Sequence, residues 1–223
     1  MSFPRGGGGG GGGGQPNATV WHPPNTIDNV IPSGLTYDYE FGSSGLSLPT
    51  GWSWANQETA TYKEGNGAGQ IAWGGVTDNI LGIVYPIFPY PFTIDAKITL
   101  FGSGALYSLA GLWALELATG AGYVFVLSNS KAFYVQEWTS FTAASSPTVN
   151  SASPSFYQYH RLVATNDTTF AYYASSDGVN FYEVTSGIDV AAAAVPDHVG
   201  IVLGATTNPV PCSLSVDYFR VSQ

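Results

Sequence analysis

The fold is decided by residues 157–181, YQYHRLVATNDTTFAYYASSDGVNF. Residues 157–164 and 169–174 each alternate in polarity with a period of two, as half-buried strands do. Between them Asn166-Asp167 reads as a two-residue hairpin turn, because Asn and Asp accept the φ > 0 that such turns require. Ser176-Asp177-Gly178 then turns the chain into a third strand at 181–184. Three short antiparallel strands in so short a stretch are a piece of a sheet.

The same grammar extends in both directions. Strands are expected at 36–41, 59–62, 70–73, 80–85, 92–100, 111–117, 123–127, 132–138, 198–203 and 213–221, with turns at Glu64-Gly-Asn-Gly, Ala118-Thr-Gly-Ala-Gly and Ser128-Asn-Ser. Residues 191–195 are the one helix-like run, and Gly187 before them and Pro196 after them limit it to a turn. So many short strands predict an all-β chain of two packed antiparallel sheets over residues 36–223, preceded by an extended arm at 1–35. The 80–92 stretch, ILGIVYPIFPYPF, is apolar and broken by prolines, and reads as an edge or contact strand.

Composition narrows the function. The 223 residues are 44% hydrophobic and 9% charged, so a large core is within reach and disorder after the arm is excluded. The net charge is −9, with six basic residues scattered along the chain, which argues against binding to nucleic acid or to anionic membranes. No apolar run is long enough to span a membrane and no signal peptide is apparent, so the expected route to the outside is lysis rather than export. The single Cys212 can make no internal disulfide and reads as a buried filler.

Several marks, taken in order, resemble the concanavalin A-like lectin/glucanase sandwich, a jelly roll shared with laminin-G modules and many phage accessory domains. They are the opening Tyr37-Asp-Tyr-Glu-Phe41 followed by Trp52-Ser-Trp54, the strand-like Phe92-Thr-Ile-Asp-Ala-Lys-Ile98 and Gly111-Leu-Trp-Ala-Leu115, the hairpin Tyr172-Tyr-Ala-Ser-Ser-Asp-Gly-Val-Asn-Phe181, Val199-Gly-Ile-Val-Leu203, and the closing Ser215-Val-Asp-Tyr-Phe-Arg-Val221. The resemblance implies a two-sheet jelly roll whose first and last strands pair, bringing Asp38 and Glu40 near Asp217 and Arg220. On the last strand, alternation sends Val216, Tyr218 and Arg220 to one face and Asp217, Phe219 and Val221 to the other. The fold hosts hydrolases, lectins and structural modules alike.

Glycoside hydrolysis takes two carboxylates flanking the scissile bond. Hydrolases that this chain resembles carry them along one strand, and here the corresponding stretches offer Glu116 and Glu137 singly. His22, His160 and His198 form no triad pattern, no Gly-x-Ser-x-Gly elbow occurs, and neither zinc-ligand nor P-loop spacing is present. The expectation is a non-catalytic chain without metal or cofactor.

Aromatic surface chemistry remains. With 12 Phe, 6 Trp and 14 Tyr, the chain has more rings than one core needs. Tyr134, Gln136 and Trp138 share a strand face, with Phe133 and Val135 on the other, and Glu116 and Tyr173 are expected beside them; these five are the glycan-binding candidates. The competing reading of the patch is a covered sheet face or an oligomer interface. Residues 6–14 are nine consecutive glycines. Without Cβ atoms such a run can pack as an extended three-residue helix against copies of itself or in a partner's channel. Gly6, Gly10 and Gly14, with Trp21 as an apolar anchor, are the docking candidates.

Together these features lead to the expectation of a virion protein of a phage tail, fibre or capsid appendage. Its arm would hold it among other virion proteins as a homo-oligomer, a trimer by preference, while the sandwich decorates the particle or meets a cell-surface glycan. The alternatives are a carbohydrate-binding module outside a virion and an atypical polysaccharide hydrolase or lyase.

Overall fold

The computed structural model describes residues 35–41, 44–74, 79–102, 108–128, 132–152, 157–205 and 211–223. They form an all-β, two-sheet antiparallel jelly-roll sandwich. The docking candidates Gly6, Gly10, Gly14 and Trp21 lie outside the described residues.

The first sheet contains β1 (Leu35–Glu40), β3 (Thr61–Gly65), β4 (Ala68–Trp73), β6 (Phe92–Gly102), β11 (Tyr159–Ala164), β12 (Thr169–Ser175), β13 (Tyr182–Asp189) and β15 (Cys212–Ser222). Its order is β13-β12-β11-β6-β15-β4-β3, with β1 also on β15. The first half of β15 pairs with β4 and the second half with β1, so the expected pairing of first and last strands is present. The second sheet contains β2 (Ser53–Ala55), β5 (Asn79–Pro86), β7 (Ser108–Leu115), β8 (Gly122–Ser128), β9 (Ala132–Ser140), β10 (Ala143–Ala152) and β14 (His198–Ala205), in the order β10-β9-β8-β7-β14-β5-β2. A 3-10 turn at Val190–Ala192, capped by the Asp189 carboxylate, stands where the single turn was expected.

Sequence and structure differ at five points. Strand β10 escaped detection because AASSPTVNSA is small and polar; it is recruited by the edge of β9 rather than by its own pattern. Strand β2 is only three residues long. The 80–85 run is no edge strand: β5 lies between β14 and β2, and is apolar throughout because both of its faces are buried. The turn at 166–167 is wider than two residues, because the Asn166 side-chain oxygen accepts the backbone N–H groups of Thr168 and Thr169.

A fifth difference concerns faces. β15 carries a register shift between Val216 and Tyr218, so Val216, Phe219 and Val221 all enter the core while Tyr218 and Arg220 stand outside. A bulge adds one residue and so resets which side chains face inward.

The main core lies between the sheets, with Phe41, Phe92, Phe125, Phe170, Tyr172 and Phe219 among its buried rings. A second apolar cluster covers the other face of the second sheet: Ile80, Val84, Leu109, Trp113, Val124, Val126, Trp138 and Val202. That face is buried because the sheet coils until its diagonal corners meet. The Ile80 N–H donates to the Phe141 carbonyl at 3.0 Å, and the Phe141 ring lies 6.4 Å from that of Trp113. Glycine permits the coiling. A Cβ on Gly82, Gly111, Gly122 or Gly200 would meet a neighbouring strand's carbonyl oxygen at 2.0, 2.2, 2.2 or 2.1 Å.

Two outcomes are expected. Gly200→Ala forces a methyl against the Ile83 carbonyl and should cost roughly 3 kcal/mol, visible as a fall of about 10 °C in Tm. His160 is 2% exposed and shares a 2.6 Å hydrogen bond with the Tyr172 hydroxyl; burial lowers its pKa to about 4. Between about pH 6.5 and 4 the unfolded chain therefore takes up this proton before the folded one, and stability should fall with pH by about 3 kcal/mol across that window. Urea melts of the wild type against His160→Gln check this: the variant's pH slope over the window should be shallower.

Candidate functional site

One rim of the sandwich carries an acid where the alternation calls for an apolar residue. In β3 every second side chain is buried, which puts Tyr62 and Glu64 on the inward phase and Lys63 outside. The β3–β4 hairpin turns through Asn66 (φ 57°) and Gly67 (φ 80°). Gly69 then leaves room for what packs on it, since a Cβ there would sit 2.8 Å from the Phe41 ring and 3.2 Å from the Tyr62 hydroxyl. After β1 the chain returns along residues 44–50, and Gly45 bridges back to the backbone of Glu64. The loop is thereby held as a wall in front of that side chain.

The result is a cleft of about 600 Å³ lined by Tyr37, Tyr39, Ser47, Leu48, Thr50 and Glu64, among others. Glu64 is 4% exposed. Its carboxylate accepts hydrogen bonds from the Tyr62 hydroxyl at 2.5 Å and the Tyr39 hydroxyl at 3.0 Å. Burial, and then the neighbouring Glu64 carboxylate, push the Tyr62 phenol far above its ordinary pKa, so it stays a proton donor. The Tyr37 hydroxyl accepts the Trp52 indole N–H at 2.9 Å and is pushed up to about 12, chiefly by burial. Tyr37 also packs on Tyr85 with ring centroids 4.6 Å apart, which fixes its orientation. The walls thus combine ring faces, hydroxyls and a held carboxylate acceptor, the groups that bind polyols. Sequence reasoning read Glu64 only as the start of a turn; the available signal was an acid on the buried phase of a strand, in register with Tyr62.

The five glycan candidates are distributed differently from expectation. Tyr134, Gln136 and Trp138 share one face of β9, as expected, but it is the face that the coiled sheet closes over. Trp138 is fully buried, and the Gln136 amide donates to the Ser145 carbonyl at 2.6 Å. Glu116 follows β7 and accepts from the Thr119 hydroxyl at 2.6 Å within its own turn. Tyr173 stands on β12 in the other sheet, its hydroxyl 3.4 Å from Glu183. Sheet coiling buries Trp138 and Gln136 and leaves Tyr134 half-covered, and no strand pattern encodes it.

The outer face of the first sheet gathers half of the chain's cations. Paired residues run across six strands in one row: Glu183, Tyr173, Arg161, Asp95, Arg220 and Asp38. Arg161 holds Asp95 bidentately at 2.6 and 2.9 Å and lies 3.9 Å over the Phe181 ring. Arg220 binds Asp38 at 3.2 Å and also Glu40, while Lys97 takes Asp217 at 2.6 Å. The first and last strands therefore meet in an ion-pair network, with Asp217 turned to Lys97 by the bulge. Cys212 is buried, and burial pushes its thiol up to about 11. No group of three or more metal-ligating side chains occurs among the described residues.

No protein-family model matches the chain, and no curated protein matches it either. Solved structures do. The GH43 protein BlXynB of Bacillus licheniformis superposes with a TM-score of 0.58 at 13% identity, over 84% of this chain and 39% of that one. A protein of unknown function from Shewanella oneidensis MR-1 gives 0.57 at 16% identity, over 82% and 84%. A β-1,3-glucanase from Mycobacterium marinum gives 0.53 at 14% identity, over 85% and 100%. At these identities the likeness is one of fold, and the chain spans well under half of the GH43 protein.

These structures correct the expectation of a non-catalytic chain. Glycoside hydrolases predominate among them, a xylan β-1,4-xylosidase from Bacillus halodurans C-125 included, so a sandwich of this fold is no ground for excluding catalysis. The expectation rested on the absence of an acid pair along single strands, and a hydrolytic pair is defined by its spacing across the scissile bond rather than by a shared strand.

Trp138→Ala should behave as a core truncation. A loss of about 3–5 kcal/mol in urea unfolding is expected, against about 0.5 kcal/mol or less for Tyr173→Ala on the open face.

Proposed function

We propose that the chain is a carbohydrate-active β-sandwich that holds a glycan in the cleft at Glu64, in the service of glycoside hydrolysis. The observation that carries this reading is the buried Glu64 carboxylate, oriented by two tyrosine hydroxyls and set behind aromatic and hydroxyl walls. A sugar ring presents an apolar CH face and a rim of hydroxyl donors. Tyr37 and Tyr39 suit the first, and Glu64 the second.

The hydrolase neighbours support the substrate class, since their names specify xylan, xyloglucan and β-1,3-glucan chemistry. Glu64 is the one acid lining the cleft among the described residues. Its role is therefore to bind and orient; a hydrolytic acid pair needs a second carboxylate from elsewhere in the chain or from a larger assembly.

A second reading concerns the setting. The glycine run at 6–14 fits a docking arm that ties the sandwich to other proteins of a virion, where glycan engagement would serve entry or surface attachment. The glycan reading is tested by calorimetric titration with xylohexaose and laminarihexaose. Binding of at least one is expected, with Glu64→Gln weakening it about tenfold, the worth of one charge-assisted hydrogen bond. Unchanged affinity in a folded Glu64→Gln protein would sink this assignment.

A further inference from the structure

One wall of the cleft is held from the opposite side of the sheet. Tyr37 and Tyr39 both come from β1, and both line the cleft. Alternation along β1 turns these rings inward and sends Asp38 and Glu40 outward. On the inner side Tyr37 pairs with Val221 and Tyr39 with Phe219. On the outer side Asp38 lies opposite Arg220, whose Nε donates to the Asp38 carboxylate at 3.2 Å. The Nη2 of the same guanidinium donates to Glu40. Arg220 is 7% exposed and its guanidinium lies 4.2 Å over the Tyr218 ring, so it offers β1 a fixed anchor.

We infer that Arg220 is a positioning residue for the cleft, setting the register of β1 that brings Tyr37 and Tyr39 to it. The effect on binding rests on reading the cleft as a glycan site; the effect on β1 does not. Backbone hydrogen bonds are alike in every register, so side chains must choose one. A slip by one residue would carry Asp38 and Glu40 inward and both tyrosines outward. β1 is six residues long, so few contacts make the choice. Directly opposed unlike charges favour the observed pairing, and a partly buried pair is screened less than a solvated one. In that register the Tyr37 hydroxyl takes the Trp52 indole N–H at 2.9 Å, and the Tyr39 hydroxyl donates to Glu64 at 3.0 Å. Arg220 thus governs the inner wall without touching a ligand.

The test pairs calorimetric titration with the indole N–H resonances of the tryptophans. Arg220→Gln should weaken whichever of xylohexaose and laminarihexaose the wild type binds by roughly tenfold. It should also shift the Trp52 indole signal, which reports the position of Tyr37. The signals of Trp113 and Trp138, buried in the second sheet, should stay in place and show that the sandwich is folded. Asp38→Asn with Glu40→Gln breaks the same grip from β1 and should reproduce both effects. Combining all three substitutions should weaken binding by no more than about twofold beyond either variant, because one interaction is lost only once. Wild-type affinity in a folded Arg220→Gln protein overturns the inference, as do additive losses in the combined variant. If Arg220→Gln fails to fold, the Asp38→Asn, Glu40→Gln protein decides by the same criteria. If the wild type binds neither glycan, the reading of the cleft fails, and the hold on β1 is judged by the Trp52 signal alone. An unmoved signal then overturns it.

Discussion

The structure depends on how closely the strands of the second sheet approach one another. Backbone oxygens lie where the Cβ atoms of Gly82, Gly111, Gly122 and Gly200 would otherwise stand. With those positions bare, the sheet coils until the Ile80 amide reaches the Phe141 carbonyl across its diagonal. Coiling then gives the sheet a second buried face, and that face consumes Trp113, Trp138 and a row of valines. The cost shows in the indole nitrogens of Trp113 and Trp138, which are buried without a hydrogen-bond partner among the described residues. Shape has been preferred to polar satisfaction in this part of the core.

This constraint moves the site. An aromatic sheet face that could have met a ligand is closed by its own curvature, and the cleft at the rim takes its rings from other strands. There β1, the β3–β4 hairpin and the 44–50 loop converge, and Tyr37 and Tyr39 are only partly covered. The Glu64 backbone is tied to Gly45 while its side chain is tied to two phenols, so the carboxylate is held from both sides. A site built this way is organised before any ligand arrives, which reduces the entropy lost on binding.

The first sheet answers a different demand. On its outer face the chain sets three of its six cations in alternation with acids across the strands. Arg161 and Arg220 lie over the rings of Phe181 and Tyr218, so their stems and guanidinium planes cover apolar surface while their charges are paired. Directly opposed unlike charges favour one register over its neighbours, which matters for β15, where one bulge separates two pairing schemes.

Fold class was legible in the residues because alternation and turn chemistry are local. The strands on either side of Asn166 and the 3-10 turn follow from a few neighbouring side chains, whereas the pairing of the first strand with the last was expected only from the resemblance. β10 was not legible, since its small polar residues carry no period and it exists only because β9 offers an open edge. The patch at Tyr134, Gln136 and Trp138 was placed on the correct face of its strand, yet whether that face met water depended on glycines in β5, β7 and β14 and at the start of β8, brought close only by folding. Glu64 was hidden for the same reason: a turn residue in the chain, it becomes a held carboxylate only when Tyr39 arrives from β1. Sequence alone therefore determined the two-sheet architecture and the inventory of rings and charges. Tertiary structure decided which of them face solvent together, because sheet curvature and loop return join residues too far apart in the chain for any local pattern to record.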